Sequence, residues 1–443
     1  MSRRALGFGI GLALVLQVVL GWIDVRPEPR RLWGDEPTYW EASRALERGE
    51  EADLLGLWPP LYPRLVAWLS PASTASVPPP GLVLAQIALL GLAALALARF
   101  GEVALGEARA AHLAALAMIL SPSTAAFAHY LWPEIVHLAL FLGALACLAR
   151  FRAGWAACFG AGLLLGLAVL SKSLLVGFLP LLGAILMVAE SGEWRRQGLR
   201  RALGATLGLI TVLALAAAAG TRPRDLLGSS GWFNAWVGLN DSSTRNLTGE
   251  IVGTELEVYR RSAETVPERT SIARRKVFAK IEADGLGKVL THQVSTQYFR
   301  LLGYDSFFTD MLPGGAIAEQ GAGYRLASGW LSRSLAAIQL ASYAALLLGA
   351  VWGALVLPWR DRRWSWVIGA FVLYNLALFL VLHVKTRYRL QFEPFLWLLA
   401  ASAWTRRAEI VLWARRSWTF VLLGTCGSLT LLFLAFGRSL VSG

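Results

Sequence analysis

Two adjacent acids, Asp35 and Glu36, follow the first apolar segment of the chain and open a stretch whose apolar residues recur at helical spacing. The spacing predicts an amphipathic helix with Tyr39 on its apolar face. A carboxylate beside such a face can accept a proton from an acceptor hydroxyl, which is general base catalysis. Asp35 is also well placed to cap the helix N-terminus, a structural role that needs no chemistry. The residues alone leave both interpretations open, and both can hold together.

Further ionisable residues stand at the ends of other apolar segments, where they are suited to bind phosphate. Lys172 lies between two serines, and Arg387 and Arg389 bracket Tyr388. Lysine offers a phosphate a point charge, and arginine offers paired donors. The structural alternatives are a snorkelling lysine and a solvated interfacial loop. Glu134 opens a predicted helix, where the helix dipole favours an acid without any functional role.

A metal ion has weak support in this sequence. Glu134 and His137, three residues apart, share one face of a helix and are the best pair of candidate ligands. Two ligands alone rarely define a metal site. We therefore predict that no cofactor is required, with the identity of any divalent metal unassigned.

The composition shows which elements must position these residues. Of the 443 residues, 56% are hydrophobic and only 16% are charged, which excludes a soluble enzyme. Apolar stretches recur that are long enough to cross a hydrocarbon core, so we predict a polytopic membrane protein with about eleven transmembrane helices. The predicted helices are 5–23, 81–97, 110–127, 135–148, 154–170, 174–188, 203–219, 335–357, 364–382, 392–404 and 418–436.

The formal charge of +13 is better explained by membrane topology than by a nucleic-acid partner. Arginine clusters fall in alternate loops if the N-terminus is cytoplasmic. They are Arg3/Arg4, Arg99/Arg109, Arg150/Arg152, Arg195/Arg196/Arg200/Arg201, Arg360/Arg362/Arg363 and Arg406/Arg407/Arg415/Arg416. Segments 24–79 and 220–333 then lie outside. Segment 385–391 is also outside, yet short and basic, and a phosphate ligand would explain this exception.

These boundaries predict three regions. Residues 1–219 form an N-terminal transmembrane module whose first external loop, 24–79, is catalytic. Residues 220–333 form an extracytoplasmic insert with helices near 269–283 and 287–302, and 334–443 form the C-terminal transmembrane helices. The glycine-rich stretch 314–323 is predicted to be mobile and to serve as a lid.

The acidic motif resembles the first external loop of the GT-C membrane glycosyltransferases, among them the lipid A aminoarabinose transferases and the protein O-mannosyltransferases. The matching residues, in the family's order, are Asp35-Glu36-x-x-Tyr39, Pro59-Pro60-Leu61-Tyr62, Pro133-Glu134, Ser171-Lys172 and Arg387-Tyr388-Arg389. The chain departs from the aminoarabinose transferases at Thr38, Leu57 and Trp58. Metal and acceptor contacts at those positions therefore do not carry over.

The resemblance implies an all-α GT-C-like bundle that transfers a sugar, with inversion, from a polyprenyl-phosphate donor to a lipid, glycan or protein acceptor. Asp35 would be the base and Glu36 would orient it or the acceptor. Lys172, Arg387 and Arg389 would hold the donor phosphate. The implied walls of the substrate cavity are Tyr39, Tyr62, Glu134 and Tyr388.

Two other functions remain open on the sequence. One is a secondary transporter or lipid flippase, although such proteins usually carry ionisable residues near the membrane midplane rather than at one interface. The other is an oligosaccharyltransferase of the same fold. The arginine- and alanine-rich composition is typical of bacteria. We therefore expect a multi-pass protein of the bacterial inner membrane, in contact with its lipids, with the active site facing the periplasm or exterior.

Overall fold

The computed structural model describes residues 2–23, 31–50, 58–70, 78–150, 154–188, 193–221, 226, 230–240, 249–304, 306–324, 329–357 and 363–437. Within these ranges the fold is helical and contains no strand. The first half has ten helices: α1 (Arg3–Ile23), α2 (Glu36–Glu47), α3 (Leu61–Leu69), α4 (Pro80–Leu105), α5 (Ala108–Leu120), α6 (Pro122–Ala126), α7 (Glu134–Ala149), α8 (Trp155–Ser171), α9 (Leu179–Val188) and α10 (Glu193–Ala218).

The insert and the C-terminal part supply the remaining helices. They are α11 (Ser230–Asn240), α12 (Gly249–Arg261), α13 (Val266–Asp284), α14 (Leu286–His292), α15 (Phe299–Leu301), α16 (Phe307–Met311), α17 (Ala316–Glu319), α18 (Gly329–Val356), α19 (Arg363–Leu378), α20 (Glu393–Thr405), α21 (Arg407–Arg416) and α22 (Trp418–Phe436). A π-helical turn, Gln293–Tyr298, joins α14 to α15, and a 3₁₀ helix, Thr386–Gln391, precedes α20.

The protein is a polytopic membrane protein, and each apolar segment predicted to span contains a helix. Four described helices are long and apolar enough to cross a bilayer, namely Pro80–Leu105, Gln197–Ala218, Gly329–Val356 and Trp418–Phe436. The pair Ala108–Leu120 and Pro122–His129, bent by 54°, makes a fifth if it is one broken span. The number eleven therefore stays a prediction. Of the arginines used for the predicted topology, Arg152, Arg360 and Arg362 lie outside the described residues.

The turn that presents Asp35 is held by its neighbour Glu36. Gly34 has a φ of +63°, a left-handed conformation that favours glycine, and it turns the chain into α2. Glu36 is fully buried, and its two carboxylate oxygens accept hydrogen bonds from the backbone N–H groups of Trp33 (2.9 Å) and Leu131 (2.8 Å). Because Leu131 lies just before α7, this carboxylate joins the acidic turn to the start of that helix.

Replacing Glu36 should therefore lower stability. Glu36→Gln loses one charge-assisted acceptor contact, each typically worth about 1.5–3 kcal/mol, since an amide nitrogen cannot accept. We expect the thermal unfolding temperature of the purified protein in detergent to fall. Glu41→Gln, an exposed acid on the same helix, is the matched control. Equal unfolding temperatures for the two variants would contradict this anchoring role.

Helices from the insert dock directly against the segment that carries Arg387. Gly238 of α11 lies against His383 so closely that an added Cβ would be 2.5 Å from the His383 nitrogen. The His383 N–H donates to the Asn234 carbonyl (2.8 Å), and the Val384 N–H donates to Gln297 Oε1 (3.0 Å). The insert thus fixes the backbone that leads into the 3₁₀ helix. Its α13 and α14 form where the sequence predicts helices.

The glycine-rich stretch, predicted as a mobile lid, is packed in the structure. Ile317 and Ala322 are buried, and the Ala322 carbonyl accepts a hydrogen bond from the Tyr130 hydroxyl (3.0 Å). Trp33 donates its indole N–H to Gln320 Oε1 at 2.7 Å. These contacts anchor the stretch beside the acidic turn. In this conformation it is therefore a packed part of the structure and not an open lid.

Candidate functional site

Residues from four distant parts of the chain meet at one cavity of about 70 Å³. Tyr39 of α2, Glu134 at the start of α7, Lys172 at the end of α8 and Arg387 of the 3₁₀ helix all line it, as does Tyr388. Asp35 contacts this set through Arg387. Ligand pockets usually measure about 300–1,000 Å³, so the cavity has to widen to admit a lipid-linked substrate.

Asp35 forms an ion pair with Arg387 and makes no side-chain capping bond within the described helix. The interpretation of Asp35 as a cap alone therefore does not hold. Burial opposes ionisation of Asp35, but the positive charges of Arg387, Lys385 and Lys172 outweigh it. They lower the pKa of Asp35 from 3.8 to about 2. Asp35 is thus an anion at neutral pH, and a weak base as long as Arg387 stays bound to it.

Glu134 provides the second carboxylate and contacts both cations of the cavity. Its Oε1 lies 3.1 Å from Lys172 Nζ and 3.7 Å from Arg387 Nε. Burial lowers the pKa of Lys172, and Glu134 opposes this effect by favouring the ammonium form. Lys172 and Arg387 are thus each paired with a carboxylate side chain in this structure. A bound phosphate can compete for both cations because each is held by side chains alone.

Aromatic rings form the walls of the cavity. Tyr388 stacks on Phe379 with ring centroids 5.6 Å apart, and Lys172 Nζ lies 4.9 Å from the centre of the Tyr388 ring. Tyr39 packs edge-on against Tyr62 at 5.2 Å. Tyr62 itself is fully buried behind this wall, where its hydroxyl donates to Gln86 Oε1. Tyr39 and Tyr388 thus face the cavity, whereas Tyr62 supports Tyr39 from behind.

Arg389, predicted from the sequence to join Lys172 and Arg387, lies in a different buried cluster. Its guanidinium donates to the Gly303 carbonyl (2.6 Å), lies 3.5 Å from Glu393 and stacks 4.1 Å from the Tyr343 ring. A 3₁₀ helix turns about 120° per residue, so residues two apart point in different directions. Arg389 therefore ties the 3₁₀ helix to the bundle and does not line the cavity.

This difference predicts opposite outcomes for the two arginines. Arg389→Lys removes planar contacts that lysine cannot reproduce, so we expect a lower thermal unfolding temperature. The folded protein should still bind polyprenyl phosphate with unchanged affinity. Arg387→Lys should do the reverse, keeping stability and weakening binding. Both quantities can be measured on purified protein, and weaker phosphate binding by Arg389→Lys at an unchanged unfolding temperature would refute this division of roles.

The residues around the cavity do not fit a divalent metal ion. Asp35 and Glu134, the two carboxylates of the site, both contact Arg387, whose fixed charge would repel a second cation. His137 has its Nδ1 3.0 Å from the Ala168 carbonyl rather than turned to the cavity. The described residues contain no group of three or more potential metal ligands.

Several lining residues were not predicted from the sequence. Trp58 and Phe379 line the cavity, and α11 of the insert contributes Ser230 and Asn234. Trp132 lies 5.3 Å from the Arg387 guanidinium and is almost fully buried. The sequence does contain a signal for Trp132, since this tryptophan directly precedes the Pro133-Glu134 pair. No local pattern marks the α11 residues, because only tertiary docking brings them to the site.

The comparisons with known proteins identify relatives by structure alone. No protein-family model and no curated protein sequence matches the chain. The fold is similar to that of the Archaeoglobus fulgidus oligosaccharyltransferase in the apo form, with a TM-score of 0.55 and 13% identity over 98% of this chain and 55% of that chain. The archaeal oligosaccharyltransferase AglB from Archaeoglobus fulgidus, in complex with an inhibitory peptide and a dolichol-phosphate, gives a TM-score of 0.50 and 11% identity over 96% of this chain and 54% of that chain.

A third structure, ArnT from Cupriavidus metallidurans bound to undecaprenyl phosphate, is 15% identical over 94% of this chain and 80% of that chain. Its TM-score of 0.39 is too low to argue from. This chain spans about half the length of the oligosaccharyltransferase. That enzyme is a GT-C protein, and the likeness covers nearly all of this chain. The chain therefore has the GT-C fold.

Proposed function

We propose that this protein is an inverting glycosyltransferase that moves a sugar from a polyprenyl-phosphate donor to an acceptor hydroxyl at the external membrane surface. The observation that carries the proposal is that two cations, Lys172 and Arg387, line one aromatic-walled cavity while Arg387 is paired with the carboxylate of Asp35. Transfer from a phosphate ester needs both a proton acceptor and a stabiliser of the departing phosphate. The cavity brings the two together.

The proposed reaction is a single displacement. Asp35 takes the proton of the acceptor hydroxyl while that oxygen bonds to the anomeric carbon from the face opposite the phosphate. The bond between this carbon and the phosphate oxygen breaks, and its electron pair leaves with polyprenyl phosphate. Lys172 and Arg387 stabilise the negative charge that collects on this leaving group. Glu134 orients the two cations.

Arg387 has a second part in this proposal, because it holds Asp35 before the donor arrives. A donor phosphate competes with Asp35 for the guanidinium. When Arg387 turns to the phosphate, the main charge that lowers the pKa of Asp35 weakens, and Asp35 becomes a stronger base. Donor binding would thus make Asp35 a stronger base. Without a sugar donor Asp35 stays paired with Arg387 and remains a weak base, so proton transfer is limited.

The comparisons support a lipid-linked donor without identifying it. The solved oligosaccharyltransferase contains a dolichol-phosphate, which is a polyprenyl-type lipid phosphate. That likeness also favours a second candidate, transfer of a whole oligosaccharide from a lipid diphosphate by the same fold.

Comparing cells with and without the gene tests the proposed function. Envelope lipids, glycans and proteins from both strains are analysed by mass spectrometry, with Asp35→Asn as the inactive variant. The proposal predicts one molecule that gains a single sugar residue only when the unmodified protein is present. Gain of an oligosaccharide would favour the second candidate. Identical profiles in the two strains would refute both.

The active site must also lie outside, which is a separate topological prediction. We expect a cysteine placed at Arg48, directly after α2, to react with a membrane-impermeant thiol reagent in intact cells, whereas one at Arg407 on α21 should react only after the membrane is opened. Both positions are exposed, and Cys147, Cys158 and Cys426 are first replaced by alanine. The reverse labelling pattern would place Asp35 on the cytoplasmic side and exclude the proposed external reaction.

A further inference from the structure

A second, larger cavity of about 550 Å³ lies between α1, α4 and α7. It is far from the candidate active site, because α7 has Glu134 at one end and Arg150 at the other. Sixteen residues of α-helix separate these ends by about 24 Å. The cavity therefore lies near the opposite membrane surface from Asp35, and the proposed transfer reaction does not use it.

The charges of this cavity favour an anion. Arg3, Arg99 and Arg150 line it from three different helices, against one carboxylate, Glu102. Glu102 is 3.3 Å from Arg99 and 3.6 Å from Arg3, and it is also bonded by His112. Arg150 is exposed and forms no ion pair within the described part of the chain. The net positive charge is thus concentrated on three exposed guanidinium groups.

Exposed apolar side chains lie on the helix faces that carry the arginines of this cavity. On α4 the exposed residues Leu92 and Leu95 are followed, at the same helical spacing, by Arg99. On α7 the partly exposed Cys147 is followed three residues later by Arg150. A lipid whose acyl chains lie along these exposed apolar side chains would place its headgroup at the arginines. A soluble anion would gain no binding energy from the apolar side chains.

We propose that this cavity binds the phosphate headgroup of an anionic phospholipid, with its acyl chains along the exposed leucines of α4. Basic pockets between transmembrane helices provide this kind of site, since guanidinium groups bind phosphate bidentately and the helices supply an apolar wall. The bound lipid fastens α1 to α4 and α7. It thereby stabilises the helix that leads into the acidic turn.

The test uses the full-length protein in a neutral detergent and measures how much added lipid raises the thermal unfolding temperature. The probes are cardiolipin, phosphatidylglycerol, zwitterionic phosphatidylcholine and inorganic phosphate. The pocket variant is Arg99→Gln/Arg150→Gln. Arg415→Gln/Arg416→Gln on α21 removes the same charge from exposed arginines elsewhere and is the matched control.

We expect both anionic lipids to stabilise the unmodified protein and the control, and phosphatidylcholine and inorganic phosphate to have no effect. The pocket variant should bind anionic lipid at least about tenfold more weakly, since it loses charge-assisted contacts. Arg150→Gln alone should also weaken the binding of anionic lipid. It should not lower the unfolding temperature measured without lipid. If the pocket variant and the control lose the same amount of affinity for anionic lipid, the proposal is overturned, because general surface charge then explains the binding. Stabilisation by inorganic phosphate alone would overturn it in favour of a soluble anion site.

Discussion

Asp35→Asn is expected to lower sugar transfer by about 10²- to 10⁴-fold, the usual contribution of a general base, while the thermal unfolding temperature changes little. Asparagine has nearly the same shape, but its amide cannot take the acceptor's proton. No helix cap is lost, because Asp35 makes no capping bond within α2. Arg387 retains Glu134 as a partner at 3.7 Å.

The same variant should bind polyprenyl phosphate more tightly than the unmodified protein. Asp35 and the phosphate compete for Arg387, so removing the carboxylate frees the guanidinium for the ligand. A residue with a purely structural role would not lower transfer and raise phosphate affinity together. Glu41→Gln, an exposed acid on the same helix, should change neither quantity. Near-normal transfer by Asp35→Asn would eliminate Asp35 as the base.

Arg387→Gln and Lys172→Ala should each weaken binding of polyprenyl phosphate by about one to two orders of magnitude. Each removes one charge-assisted contact, typically worth about 1.5–3 kcal/mol. The double variant should lose less than the sum of the two, because both cations contact Glu134 and their effects are coupled. Binding is measured with undecaprenyl phosphate in detergent micelles.

Arg48→Gln provides the matched control for these losses. Arg48 is an exposed arginine whose described partner is Glu50, and it is not part of the cavity. Its replacement should leave phosphate affinity unchanged. If Arg48→Gln weakens binding as much as Arg387→Gln does, the cations act only as a general positive surface. The phosphate site would then have to be sought elsewhere.

The sequence predicted the site best where the type of a residue itself indicates the ligand, as a cation does for phosphate. Lys172 and Arg387 were predicted to share a ligand because both are cations that the predicted topology places on one side of the membrane, and the structure brings them to one cavity. Arg389 was predicted with them because it is only two residues from Arg387. The direction of its side chain depends on the 3₁₀ turn, and sequence spacing could not reveal that turn.

Glu36 shows the same limit at the acidic pair. Adjacent acids look equivalent in a sequence, yet neighbouring residues on a helix point about 100° apart. One therefore meets Arg387 while the other holds the backbone at Trp33 and Leu131. The contribution of α11 to the cavity was invisible for a different reason. It depends on the docking of Gly238 against His383, a contact between residues far apart in the chain.

The central claim is that Lys172 and Arg387 hold a polyprenyl phosphate beside Asp35, and affinity for undecaprenyl phosphate tests it most directly. Four purified proteins are compared: the unmodified chain, Asp35→Asn, Arg387→Gln and Arg48→Gln. We expect saturable binding by the unmodified chain and Arg48→Gln, tighter binding by Asp35→Asn, and binding at least about tenfold weaker by Arg387→Gln. Equal affinity in all four proteins, or no saturable binding in any, would contradict it.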